Sequence, residues 1–132
     1  MSEKPLILDE AVTANAISNM FDKQPLNQMT RSVHAAAWVD LGGEIKSIRE
    51  DVGRHNALDK LLGALTIDNS DVSNGFVLMS SRCSYEIVEK AAKRGVRAIV
   101  SISGPTAFAL RKAREANMAI YSRSGEGAVR LL

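Results

Sequence analysis

The chain has 132 residues, of which 45% are apolar, 24% charged and 5% aromatic, with a net charge of +2. That length suits one compact domain able to bury about two thirds of its unfolded surface. The basic residues are balanced and scattered, which argues against a nucleic-acid footprint. No apolar run approaches the ~20 residues that cross a bilayer, and the polar start, Met1 to Lys4, lacks the pattern of a signal peptide. A cytoplasmic domain is expected, with neither nucleic acid nor membrane as partner. Cys83 is the single cysteine, so a disulfide, a Cys-x-x-Cys pair or an all-cysteine metal site cannot form within one chain.

Taken in chain order, residues 1–7 are expected to be flexible. Asp9 to Asp22 follows as a helix, with Val12, Ala16 and Met20 on one face beside Ile17 and Phe21. A polar link around Gln24 to Arg31 leads to two short strands, His34–Val39 and Ile45–Arg49. Gly42 and Gly43 between them signal a hairpin. A helix is expected over Arg54–Leu65, then a polar loop, Asp68–Asn74, and a buried strand, Phe76–Met79. Next comes a helix over Ser84–Arg94, stopped by Gly95. A strand over Ala98–Ile102, a helix over Pro105–Ala116 and a strand over Met118–Tyr121 continue the alternation. Pro105 is tolerated in a first helical turn. A last strand, Ala128–Leu131, follows a turn over Ser124–Gly127. Such alternation predicts an α/β fold: a hairpin-led mixed sheet with helices on both faces and an N-terminal helix.

Ligands of open α/β sheets bind beyond the carboxyl ends of the strands, where the chain enters the next helix. Three such junctions occur here: Glu50–Asn56, Ser80–Ser84 and Ser101–Thr106. Helix N-termini, hydroxyls and arginines all favour anions, so a phosphorylated ligand is expected there. Each residue also has a plainer use. Ser81 or Ser103 would serve as a helix cap, Gly53 would mark a tight turn, and Asp51 or Arg82 would face solvent. Capping alone needs one residue, however, and leaves the clustered acid, glycine, arginine, histidine and asparagine unexplained. For His55, at a helix start, a neutral ring able to donate and accept is expected. The small run Ala35–Ala37 after His34 suits either tight packing or a flat ligand. Cys83 follows Arg82 near a helix N-terminus, a setting that favours thiolate and would suit a sulfur carrier; a small packing residue is the other reading.

The blocks His34-Ala35-Ala36-Ala37-Trp38, Arg49-Glu50-Asp51-Val52-Gly53-Arg54-His55-Asn56-Ala57-Leu58-Asp59-Lys60 and Ser80-Ser81-Arg82-Cys83-Ser84-Tyr85-Glu86 resemble the formate dehydrogenase accessory protein family, FdhD/NarQ. The resemblance runs from about Leu8 to Leu132 and corresponds to the C-terminal half or so of a family member. It implies a three-layer α/β/α, cytidine-deaminase-like fold in a single domain over 1–132. It also implies sulfur transfer from a cysteine desulfurase to the molybdenum or tungsten bis-molybdopterin guanine dinucleotide of formate dehydrogenase, with GDP as a mimic. Cofactor binding would fall to His34, Asp51, Gly53, Arg54, His55, Asn56, Ser81 and Arg82, with Lys60 a weaker candidate deep in its helix.

One departure is large. The family's sulfur-carrying Cys-x-x-Cys lies upstream of the histidine block, and no such pair is present here, which leaves Cys83 as the substitute carrier. Two other functions stand beside this one, the first suggested by that departure and the second by the related fold. One is a non-catalytic guanine-nucleotide or molybdopterin module that docks a partner protein, with a homodimer or partner chain covering a face left open. The other is a degenerate zinc deaminase, which requires His-x-Glu and Cys-x-x-Cys. The matching positions read His55-Asn56-Ala57 and Cys83-Ser84-Tyr85-Glu86, without the glutamate shuttle or the second cysteine; no metal site is expected.

Overall fold

The structure, a computed structural model, describes residues 7–22, 33–69, 71–124 and 127–131. Its elements are α1 (Glu10–Asp22), β1 (His34–Asp40), β2 (Ile45–Asp51), α2 (Arg54–Ile67), β3 (Gly75–Met79), α3 (Tyr85–Arg94), β4 (Ala98–Ser101), α4 (Ala107–Glu115), β5 (Ala119–Ser124) and β6 (Gly127–Arg130). Each element foreseen from periodicity is present, with ends shifted by a few residues. Residues 1–6 of the start expected to be flexible over 1–7, the polar link over 24–31 and the centre of the turn over 124–127 lie outside the described residues.

One six-stranded sheet runs β2-β1-β3-β4-β5-β6. β1 is antiparallel to both β2 and β3, β3, β4 and β5 are mutually parallel, and β6 returns antiparallel to β5. Alternate residues of the strands face opposite layers, as the two-residue period of a strand requires. Ala36, Trp38, Val77, Met79, Ile99 and Ile120 join α2, α3 and α4 in one core. Ala35, Ala37, Val39, Phe76, Leu78, Val100 and Tyr121 join Ala16, Ile17 and Met20 of α1 in the other. Among the described residues, helices therefore cover both faces, three on one side and one on the other. The alanines of β1 are fully buried in these two cores, so their small size serves packing. Among the described residues no helix is long and apolar enough to cross a membrane.

The hairpin between β1 and β2 is closed by Asp40, whose Oδ1 accepts from the N–H groups of Gly42 and Glu44, each at 2.9 Å. Gly43 takes a φ of +90°, which glycine adopts without a steric penalty. Gly75 is needed for a different reason, since a Cβ there would lie 2.4 Å from the Val39 carbonyl oxygen and 2.8 Å from the Trp38 ring. The indole of the neighbouring strand fills the space that any side chain would take. At the end of α3, Gly95 is left-handed, with its N–H on the Ala92 carbonyl and that of Val96 on Ala91. This double closure is the expected glycine stop.

α4 departs from its expected start. Pro105 does not enter the helix; it forms a parallel bridge with Cys83, and Thr106 caps α4 by accepting from the Ala109 N–H at 3.1 Å. The hydroxyl supplies the acceptor that orphan helix amides require, so the helix begins one residue after it.

Candidate functional site

Strand direction gathers all three junctions on one edge. β2, β3 and β4 run the same way, while β1 runs opposite, so the start of β1 meets the ends of its neighbours. His34 lies opposite Asp51 in the β1–β2 register. The Ala35 N–H donates to Ser80 Oγ at 2.8 Å, and the Ser80 N–H donates back to the Ala35 carbonyl at 3.0 Å.

The first junction is organised by Asp51. Its Oδ1 accepts from the Gly53 N–H at 2.9 Å, closing a side-chain turn that starts α2. Its Oδ2 lies 2.8 Å from Lys60 Nζ, which also donates to the Glu50 carbonyl at 3.3 Å. The Lys60 bond, then the Gly53 N–H, hold the Asp51 carboxyl down at about 2. Only 18% of that side chain is exposed, and both of its oxygens are engaged by the protein. Asp51 thus shapes the loop, and Lys60, two turns into α2, belongs to the same device. Gly53 is the N-cap residue of α2 and brings no side-chain acceptor to the helix amides. A Cβ at Gly53 would sit 3.2 Å from Asn56 Nδ2, so the glycine also keeps this turn tight. Arg54 and Asn56 are exposed and His55 is half-buried.

The second and third junctions are laced together by serines and backbone. Ser101 Oγ donates to the Ser81 carbonyl at 2.9 Å, and Ser103 Oγ to the Ser80 carbonyl at 3.2 Å. The Cys83 N–H donates to the Gly104 carbonyl, and the Thr106 N–H to the Cys83 carbonyl. Ser81 is buried and its Oγ donates to the Arg82 carbonyl at 3.1 Å. Neither Ser81 nor Ser103 caps a helix, contrary to the plainer reading of those residues: Ser81 bonds the adjacent Arg82 carbonyl, and Ser103 bonds a carbonyl of the neighbouring junction. The cap position of α3 belongs to Ser84, whose side chain makes no bond to the helix amides. Ser84 is 8% exposed, and its Oγ is buried without a hydrogen-bond partner among the described residues.

Cys83 corrects the expectation of a thiolate. It is fully buried within the core of the three-helix face, and burial pushes its thiol up to about 12. Desolvation outweighs the neighbouring Arg82 and the helix end, because the guanidinium lies in solvent while the sulfur lies among aliphatic side chains. A neutral, enclosed thiol packs; it is a poor nucleophile.

The edge that results carries two helix N-termini, those of α2 and α3, with no side-chain cap bond, whereas α4 is closed by its own Thr106. Arg54 stands on the first of these and Arg82 just before the second, both exposed, and neither guanidinium has an ion-pair or hydrogen-bond partner among the described residues. Open amides and free guanidinium groups suit phosphate oxygens. No group of three or more His, Cys, Asp or Glu is placed to hold a metal ion among the described residues.

Residues 2–130 match the model of the FdhD/NarQ family. A protein named sulfur carrier protein FdhD from Burkholderia mallei is 46% identical over 109 residues, covering 83% of this chain and 40% of that relative. The protein of the same name from Xanthomonas euvesicatoria is 44% identical over 115 residues, covering 87% of this chain and 41% of the relative. A crystal structure described as a formate dehydrogenase accessory protein from Desulfotalea psychrophila superposes with a TM-score of 0.87 at 26% identity, covering 99% of this chain and 58% of that one. The chain therefore spans about two fifths of the length of the curated relatives it matches. Motif blocks, sheet order and these matches agree, and the chain belongs to the FdhD/NarQ family.

Proposed function

We propose that this chain is the ligand-binding part of a sulfur-carrier system that matures formate dehydrogenase. Its ligand is the molybdenum or tungsten bis-molybdopterin guanine dinucleotide, for which GDP serves as a mimic. The observation that carries this reading is the pair of uncapped helix N-termini, α2 and α3, set on one edge beside the unpaired Arg54 and Arg82. Each element contributes backbone N–H donors, a positive dipole end and one planar guanidinium, the donor set that diphosphates use. The names of the relatives supply the context of sulfur transfer and formate dehydrogenase maturation. On this reading a cysteine desulfurase and the catalytic subunit of formate dehydrogenase are the protein partners.

Burial of Cys83 favours a second form of the reading, in which this chain binds and presents the cofactor without carrying sulfur. Persulfide transfer needs a thiolate that can reach both donor and acceptor, and the single cysteine of these 132 residues lies inside the core. The sulfur-bearing thiol then belongs to a different segment or chain.

Titration calorimetry and thermal unfolding with GDP test the binding claim. GDP at about a hundred times its dissociation constant should add about 2.7 kcal/mol of stability. A flat titration at millimolar GDP, with an unchanged unfolding temperature, would sink it. Incubation with a cysteine desulfurase and cysteine, followed by mass spectrometry, separates the two forms: a sulfur adduct on Cys83 would overturn the binding-only version.

A further inference from the structure

Two aromatic side chains stand exposed at the same edge, outside the positions assigned to binding above. Tyr85, the first residue of α3, is 40% exposed, and Phe108, the second residue of α4, is 64% exposed. The bridge between Cys83 and Pro105 sets the starts of these two helices side by side. Lys112 Nζ lies 5.6 Å from the centre of the Tyr85 ring, which places Lys112 on the side of α4 that faces α3. Phe108 precedes Lys112 by four residues, so it lies on that same side, one turn nearer the sheet edge. Side chains of a helix tilt toward its N-terminus, and both rings therefore lean toward the end where Arg82 enters α3.

Each ring has its own cation. The Arg111 guanidinium lies 5.5 Å from the centre of Phe108, matching the Lys112–Tyr85 pair. Such contacts lay a cation over one face of each ring, and because Lys112 Nζ also lies 4.0 Å from Glu89 Oε2, Arg111 is the positive charge that accompanies the more exposed ring, Phe108. The fold gains little from aromatic rings left in water, whereas a planar heterocycle with attached phosphates would use both features. The heterocycle would stack on an apolar face, with its phosphates toward Arg82, three residues before Tyr85, and the open amides of α3. Charge complementarity thus favours a nucleoside diphosphate as the occupant of this patch.

We propose that Tyr85 and Phe108 form the stacking platform for the base of a nucleotide ligand, with Phe108 as its main face. This rests on the nucleotide-binding reading given above. The test is calorimetry on the 132-residue chain with two probes, GDP and the base-free anion pyrophosphate. Phe108→Leu keeps an apolar side chain and removes the aromatic face, and Phe108→Trp enlarges that face. Because residue 108 is exposed, both variants should unfold at the wild-type temperature. Phe108→Leu should weaken GDP about tenfold, Phe108→Trp should bind GDP at least as well as wild type, and pyrophosphate should bind all three alike. Unchanged GDP affinity in Phe108→Leu would overturn the platform while leaving the anion site standing. An equal loss of GDP and pyrophosphate in that variant would also overturn it, because the effect would then lie at the phosphates. A wild-type chain that binds neither probe would overturn the nucleotide reading itself.

Discussion

Lys60 Nζ reaches back along α2 to sit 2.8 Å from Asp51 Oδ2, while the other oxygen of the same carboxylate holds the Gly53 N–H. One ion pair thereby ties the end of β2, the turn and the second turn of α2 into a single unit. Its effect on pH dependence has a definite sign. The carboxyl lies at about 2 in the folded chain against 3.8 for an unperturbed Asp, so its stabilising effect is complete above the unfolded value and is lost as pH falls through the folded one. Asp51→Asn should lower the urea midpoint at neutral pH, and the gap to wild type should narrow between about pH 4 and pH 2. Lys60→Met should do the same. A gap independent of pH would show that the pair is not what holds this turn.

Arg54→Ala and Arg82→Ala address the other side of the edge. Neither guanidinium has a partner to lose, so stability should stay within about 0.5 kcal/mol of wild type. Loss of a charged hydrogen bond to phosphate should weaken GDP by about 1.5–3 kcal/mol in each variant. Wild-type affinity in both, measured by calorimetry, would show that the anion site lies elsewhere.

Two caps of adjacent helices should respond in opposite ways to alanine. Thr106 accepts a bond from the Ala109 N–H, and Thr106→Ala should cost about 1 kcal/mol. Ser84 Oγ is buried with no partner among the described residues, so removing it discards an unsatisfied polar group. Ser84→Ala should therefore be neutral or mildly stabilising in urea unfolding. A loss as large as that of Thr106→Ala would mean that the Ser84 hydroxyl has a partner in solution.

The thiol of Cys83 should be inert in the native chain. Alkylation at pH 8 should be slow when folded and rapid in denaturing urea, as burial and the raised thiol value require. Cys83→Ser should cost about 1–3 kcal/mol through a hydroxyl buried among aliphatic side chains. Fast modification of the folded protein would refute this account and restore Cys83 as a candidate carrier.

The sequence by itself determined the order of strands and helices along the chain, the hairpin at Gly42–Gly43, the stop at Gly95 and the three strand-to-helix junctions. These are local properties, since a period of two or 3.6, a turn glycine or a motif such as Glu50–Lys60 is written in neighbouring residues. The number of cysteines belongs to this class as well. Only the tertiary structure decided what each side chain at the junctions does. Ser103 bonds across strands and Ser81 bonds the carbonyl of the adjacent Arg82, and neither caps a helix; parallel β3 and β4 bring the Ser80 and Ser81 carbonyls to the hydroxyls of Ser103 and Ser101. Lys60 emerged from its helix as the partner of Asp51 because two turns of α2 lead back over the end of β2. Cys83, placed by sequence beside an arginine at a helix start, lies under the Gly104–Thr106 segment with its sulfur in the core. Charge neighbours are visible in a sequence; burial is the sum of distant contacts, and for this thiol burial prevails.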